Sequence, residues 1–194
     1  MGKFETALEA IDRYNRQDPV RFSFRGEDWP QEYFLSLKVQ DWIERLQPGA
    51  GEELLLAARA HHIGRWEVPR DQYPDGRTGY LNWRKDLAER HAETTASILR
   101  EAGYSTSKIE RVRQLILKKQ LKTDPEVQLL ENTLCLVFLQ YQYEEFRQKH
   151  PQEKVVRILK KSWQKMDARG REEALKLDYS PGGNESLREA LELQ

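Results

Sequence analysis

The stretch "LLLAARAHHIGRWEVPRDQYPDGRTGY", Leu54 to Tyr80, decides how the chain is read. An apolar helical run ends in two adjacent histidines, and a segment rich in Arg, Tyr and Pro follows. The chain has four histidines, so a side-by-side pair at the end of a core helix carries weight. Successive helix positions point about 100° apart. His61 and His62 therefore face different directions: one meets a core or cleft squarely and the other reaches in from the side. Between Arg65 and Tyr80, Pro69, Pro74, Gly76 and Gly79 argue against a regular element. Trp66, Tyr73 and Tyr80 argue for order. A structureless loop of this length in a compact domain is usually functional or disordered.

Helical periodicity extends outward from this stretch. Phe4, Ala7, Leu8, Ile11 and Tyr14 mark a first helix, and "QDPVRFSFRGEDWP" (17–30) reads as a connector. Pro30 opens a second helix through Leu46, and "PGAG" (48–51) stops it. The third runs from Glu52 to His62 or Ile63. The fourth covers Leu81 to Ala102 and ends at Gly103. Ser107 with Glu110 resembles a capping box for the fifth. Asp124 and Pro125 open a sixth that continues to His150. Pro151 begins a seventh, a short eighth follows Gly170, and "SPGGN" (180–184) breaks the chain before a polar tail. No strand pattern or internal repeat is evident. The expected class is all-α, with a helical domain over 1–167 and a short helical or flexible tail over 168–194.

Composition narrows the function classes. Charged residues make up 33% of the 194, but the formal net charge is zero, so no global basic field points to non-specific nucleic-acid binding. The single Cys135, in "LCLVFL", cannot form an internal disulfide, which suits a reducing cytoplasmic setting. No signal-peptide pattern opens the chain, and no apolar run is long enough to span a bilayer, so no membrane role is expected.

Two further polar residues interrupt apolar helices. His91 shares a stripe with Leu87 and Ile98, and Glu131 lies among Val127, Leu130, Leu134 and Phe138. A carboxylate there is expensive to bury unless paired or metal-bound. An arginine partner and a core histidine are the plain readings. The functional reading is a divalent metal (Zn, Mn or Fe) held by imidazoles and a carboxylate from helices three, four and six.

These residues also resemble a known pattern. "HHIGR" followed some thirty residues later by "HAETTASILREAGY" is similar to the HD-domain superfamily of helical metal-dependent phosphohydrolases. By that resemblance His61 stands at the motif's His, His62 at its Asp, His91 at the later helical His, and Glu131 (or Asn132) near the closing Asp. "LSLKV" puts Leu35 at the first metal-binding His. Since Leu35 cannot bind metal and His62 lacks the charge of an Asp, the resemblance implies a mononuclear site of His62, His91 and Glu131, with His61 as a further ligand or just behind the ligands, and with open positions. His61 and Arg65 then become the catalytic candidates. "HIGRWEVPRDQYP", "GYLNWRKDLAERHA" and "LLENTLCLVFL" resemble, more closely, a small HD-like family of unknown function. Some of its members carry a glutamyl-tRNA synthetase label, but no synthetase nucleotide-binding motif is present here.

Arg matches phosphate with a forked donor geometry. Arg70, Arg84 and Tyr73, with Lys118 and Lys122 before the sixth helix, are the candidate substrate-binding residues. The expected function is hydrolysis of a phosphate ester, in a nucleotide or a related small molecule. The alternatives are an HD-like module that binds a nucleotide or RNA without catalysis, and an iron oxygenase of the HD type.

Overall fold

The computed structural model describes residues 2–192 and is all-α apart from one two-stranded hairpin. The chain divides by contacts into two compact units, one ending at Gln120 and one beginning at Leu121.

In the first unit, α1 (Lys3–Asn15), α2 (Gln31–Leu46), α3 (Glu52–Ala60), α4 (Gly76–Glu101) and α5 (Thr106–Ile116) form the body. α3 is its hub and packs on α1, α2 and α5. Its sequence explains this position. Leu54, Leu56, Ala57, Ala58 and Ala60 are all fully buried, and the alanines let neighbouring helices approach. Arg59 is buried on the same helix. Its guanidinium donates to Asp12 of α1 (3.0 Å) and to Gln40 of α2 (2.8 and 3.1 Å). Burial pushes the Asp12 carboxyl up, and the Arg59 charge opposes that rise.

The connector before α2 contains an antiparallel hairpin, β1 (Arg21–Phe24) and β2 (Glu27–Pro30), where the periodicity suggested none. Arg25 and Gly26 both have positive φ (52° and 83°), the backbone of a two-residue hairpin turn with the right twist. Phe22, Phe24 and Trp29 pack on Phe34 of α2, at ring separations of 4.9, 5.0 and 6.0 Å. The alternation in "RFSF" followed by "RG" is the overlooked signal.

The segment 65–75 is ordered by its own side chains, in two short 3-10 turns, Arg65–Glu67 and Arg70–Gln72. α4 starts at Gly76, five residues before the Leu81 that periodicity suggested, with Asp75 in the cap position. At Gly79 a Cβ would stand 1.8 Å from the Pro74 carbonyl oxygen, so only glycine admits this return of the loop onto the helix. Ser105 takes the N-cap position of α5, and Ser107, expected there, lies inside the helix.

The second unit holds α6 (Pro125–Val137), α7 (Tyr143–Lys149), α8 (Gln152–Lys165), α9 (Ala168–Leu175) and α10 (Pro181–Leu191). Asp124 caps α6 by accepting from the Glu126 and Val127 amides. A π-helical turn at Phe138–Gln142 divides the single helix that the sequence suggests over 125–150. "SPGGN", read as a break before a polar tail, opens α10, because Ser180 accepts from the Gly183 amide and Pro181 suits the first turn.

Removing Arg59 would strand the buried Asp12 carboxylate. Arg59→Ala is expected to destabilise the first unit by about 3 to 5 kcal/mol. Urea unfolding of the full chain followed by tryptophan fluorescence reads this directly, since Trp29, Trp42, Trp66 and Trp83 lie in that unit.

Candidate metal centre

α3 ends at Ala60, so His61 is its C-cap and His62 already belongs to the turn. The chain leaves the helix before the 100° step separates the two rings. Their centroids lie 4.2 Å apart, and His62 lies 5.7 Å from the ring of His91 on α4. Gly64 completes the turn with φ of +69°. Glu67 then fastens it, accepting from Tyr14 of α1 (2.6 Å) and pairing with Arg90 of α4 (2.7 Å).

The acid beside these imidazoles is Glu32, in the first turn of α2. Glu32, His61 and His62 each offer a ligand atom, and these atoms lie within 4.8 Å of one another. Among the described residues this is the group with that property. Glu32 is 3% exposed. His62 Nδ1 is hydrogen-bonded to its Oε2 at 3.2 Å, and Arg65 Nε lies 3.6 Å from its Oε1. Asp18 sets the position of Glu32. Itself buried, Asp18 accepts from the Glu32 amide and the Val20 amide, both at 2.9 Å, and so caps α2 from a distance.

Hydrogen bonding fixes two tautomers. His61 Nδ1 lies 2.8 Å from the Ala58 carbonyl oxygen and His91 Nδ1 lies 2.6 Å from that of Ile63. A carbonyl only accepts, so each Nδ1 carries the hydrogen. The neutral ring then keeps its lone pair on Nε2. This is the arrangement that orients metal-ligating histidines. The donor set of two imidazoles and a carboxylate suits Zn, Mn or Fe.

Burial dominates the electrostatics. It pushes the Glu32 carboxyl up, against the pull of Arg65, His61 and His91. It holds His61 and His62 well below the usual 6.5. His62 lowers its neighbour further, and Arg65, His91, Lys118 and Arg84 act on His62 itself. His91 is lowered to about 4, chiefly by burial.

The other sequence candidates fall in several places. Glu131 belongs to the second unit, where it is 2% exposed and pairs with Lys165 at 3.0 Å. Asn132 beside it is tied to Asp167 (2.8 Å) at the entry to α9. Lys122 also lies in the second unit, while Lys118 lies near the end of the first, with left-handed backbone (φ 53°). Arg70 donates to the carbonyls of Tyr73 and Pro74 (2.8 and 2.9 Å), so its guanidinium shapes the loop. The Tyr73 hydroxyl donates to Asp86. Arg84 lies over the Tyr80 ring, 6.0 Å from its centroid. Leu35, at the place of a first metal-binding histidine by resemblance, is a buried core residue.

The sequence profile of a family described as a domain of unknown function, DUF4202, matches residues 5–186. The chain belongs to that family. No curated protein and no solved structure matches it. The match covers both units of this DUF4202 protein, and the Glu32–His61–His62 group and the Glu131–Lys165 pair both lie within the matched residues.

Glu32 is the residue that sequence reasoning missed. Its signal lay in the spacing: positions 32, 35, 36, 39 and 43 form one helical face, and all five are buried. An acid on that face, one turn before Leu35, replaces an apolar contact with a carboxylate aimed at the end of α3.

Two outcomes test this geometry. Asp18→Ala removes the cap on the turn that carries Glu32 and is expected to cost about 1 to 2 kcal/mol, read as a lowered Tm. His91 gives a pH signature in chelator-treated protein. Its folded pKa of about 4 lies below the unfolded 6.5, so below pH 6.5 the unfolded chain binds the proton more readily. Stability falls as pH drops from 6.5 to about 4 and then levels for this group. His91→Gln should remove about 3 kcal/mol of that dependence in urea titrations at pH 7 and pH 4.

Proposed function

We propose that this protein is a metal-dependent phosphohydrolase acting on a phosphate ester such as a nucleotide, with the metal held by Glu32, His61 and His62. The observation that carries the reading is a buried carboxylate whose oxygens meet two imidazoles with ligand atoms inside 4.8 Å. One of those imidazoles has its second nitrogen tied to a backbone carbonyl. The resemblance of "HHIGR" and the later His91 segment to the HD-domain superfamily supports the same class of chemistry. Glu32 supplies the negative charge that His62 lacks.

A divalent metal bound there would polarise a phosphoryl oxygen and lower the pKa of a coordinated water. The chain's own groups supply the rest. Arg65, 3.6 Å from Glu32 and part-exposed, offers a cation to the phosphoryl oxygens. Arg84 and Lys118 add positive charge, felt at His62. His91, neutral near pH 7 and with its Nδ1–H held by the Ile63 carbonyl, can accept a hydrogen bond at Nε2 and so orient the attacking water. His62, hydrogen-bonded to Glu32, fixes the carboxylate's orientation.

A non-catalytic nucleotide-binding module is a second reading, favoured by the same cations Arg65, Arg84 and Lys118 around neutral imidazoles. Under that reading, nucleotide raises the Tm in the presence of chelator and no phosphate is released.

Elemental analysis of protein loaded with Zn, Mn or Fe is expected to give one metal per chain. Glu32→Gln and His61→Ala should lose the metal, while Glu131→Gln keeps it. Against p-nitrophenyl phosphate and a nucleotide panel, His91→Ala should lower kcat by about a hundredfold. Protein that takes up no metal at any of these loadings would overturn the proposal. Iron retained together with oxygen consumption and no phosphate release would move the site to oxygenase chemistry.

A further inference from the structure

The first three turns of α4 present Arg77, Tyr80, Leu81, Arg84 and Lys85 to solvent, at spacings of three, four, seven and eight residues from Arg77. These positions share one face of a helix. Tyr80 is 42% and Leu81 52% exposed, adjacent large apolar side chains where burial would be usual. The stripe carries three cations and no acid. Asp86, the nearest acid in sequence, accepts the Tyr73 hydroxyl at 2.9 Å. Arg77 and Lys85 have no ion-pair partner among the described residues.

This face continues into the candidate metal centre. Trp83, on the inward side of the same turn, donates to the Val68 carbonyl (2.9 Å) and carries Arg65 over its ring at 5.0 Å. Arg65 in turn faces Glu32, and the Trp83 ring lies 6.0 Å from that of Tyr80, over which Arg84 sits. A line of cations and rings therefore runs from Glu32 through Arg65 and Trp83 to Tyr80, Arg84, Leu81 and Arg77.

We propose that this stripe of α4 is a track for single-stranded nucleic acid, which makes the substrate of the site a strand end and not a free mononucleotide. The proposal rests on the phosphohydrolase reading above and names its substrate class. Single strands are held where exposed rings stack on bases of any identity and Arg or Lys side chains follow the phosphates. From Arg77 to Lys85 the helix rises about 12 Å, enough for a few nucleotides. A membrane surface fits less well. A helix that lies on a bilayer needs a broad apolar face, and the apolar side of α4 (Trp83, Leu87, Ala92, Ala96) is buried within the unit.

The test is fluorescence anisotropy of the full chain with labelled ten-nucleotide single strands of DNA and RNA, in chelator and with metal. Wild type is expected to bind in both conditions. Affinity should fall with salt at a log–log slope of about −2, from three phosphate contacts. Tyr80→Ala with Leu81→Ala, and separately Arg77→Glu with Lys85→Glu, should each weaken binding about tenfold. All four positions are exposed, so circular dichroism and Tm should match wild type. Metal content and turnover of p-nitrophenyl phosphate should also be unchanged. Wild-type protein that binds no strand, or variants that bind as tightly as wild type, would overturn the track. So would vesicles containing phosphatidylserine that capture wild type but not the variants while strands bind neither. Strand binding in chelator reports on the track alone and metal content on the metal centre alone, so either proposal can fail while the other stands.

Discussion

A carboxylate at 3% exposure must be met by hydrogen bonds or charge, and in the first unit this condition governs the end of α3. Glu32 is met by His62, Arg65 and the imidazole of His61. Three devices on separate elements keep it there. Asp18 holds the first turn of α2, Arg59 ties α3 to α1 and α2, and Glu67 fastens the turn after His62 to α1 and α4. Arg59 and Glu67 are satisfied by side chains from other helices, and Asp18 by two backbone amides. The polar interior of the unit is therefore a connected set of constraints.

The helices were legible because burial writes itself as periodicity. α3 was plain from "LLLAARA", where apolar and small residues fill almost every position. The hairpin was not, because four-residue strands give too few repeats to separate a period of two from chance. Its turn was readable only through Arg25-Gly26. The break in the 125–150 helix has no sequence signal of that kind. A π turn inserts one extra residue without proline or glycine, and "FLQYQ" contains neither.

The candidate site divides along the same line. The histidines announce themselves by rarity, and the structure gathers His61, His62 and His91. Acids are common, so the choice among them turns on partners that sequence does not print. Glu131 and Glu32 look alike in one dimension: each sits on a buried helical face among apolar residues. In space Glu131 meets the flexible end of Lys165, an amine that reaches in from a part-exposed position. Glu32 meets imidazoles and a guanidinium on a turn pinned from both sides. The arginines of the loop divide in the same way. Arg70 spends its donors on the carbonyls at Tyr73 and Pro74, which keeps the loop rigid, while Arg65 stays beside the acid.

The electrostatics of the group link fold to chemistry. Burial makes an imidazolium at His62 costly, and Arg65, His91, Lys118 and Arg84 add to that cost, so the ring stays neutral. The backbone carbonyls at Ala58 and Ile63 then decide which nitrogen of His61 and His91 keeps its lone pair. A neutral imidazole with an oriented lone pair is both a metal ligand and a proton acceptor, and an imidazolium is neither. Cations that would be hard to explain beside basic side chains become intelligible in these terms. They suppress the protonated form of the histidines. The single buried carboxylate keeps the cluster from being wholly cationic, and its pKa is raised by the burial that lowers theirs. A divalent cation would reverse both penalties together, by favouring the ionised acid and using the lone pairs that the surrounding positive charge preserves.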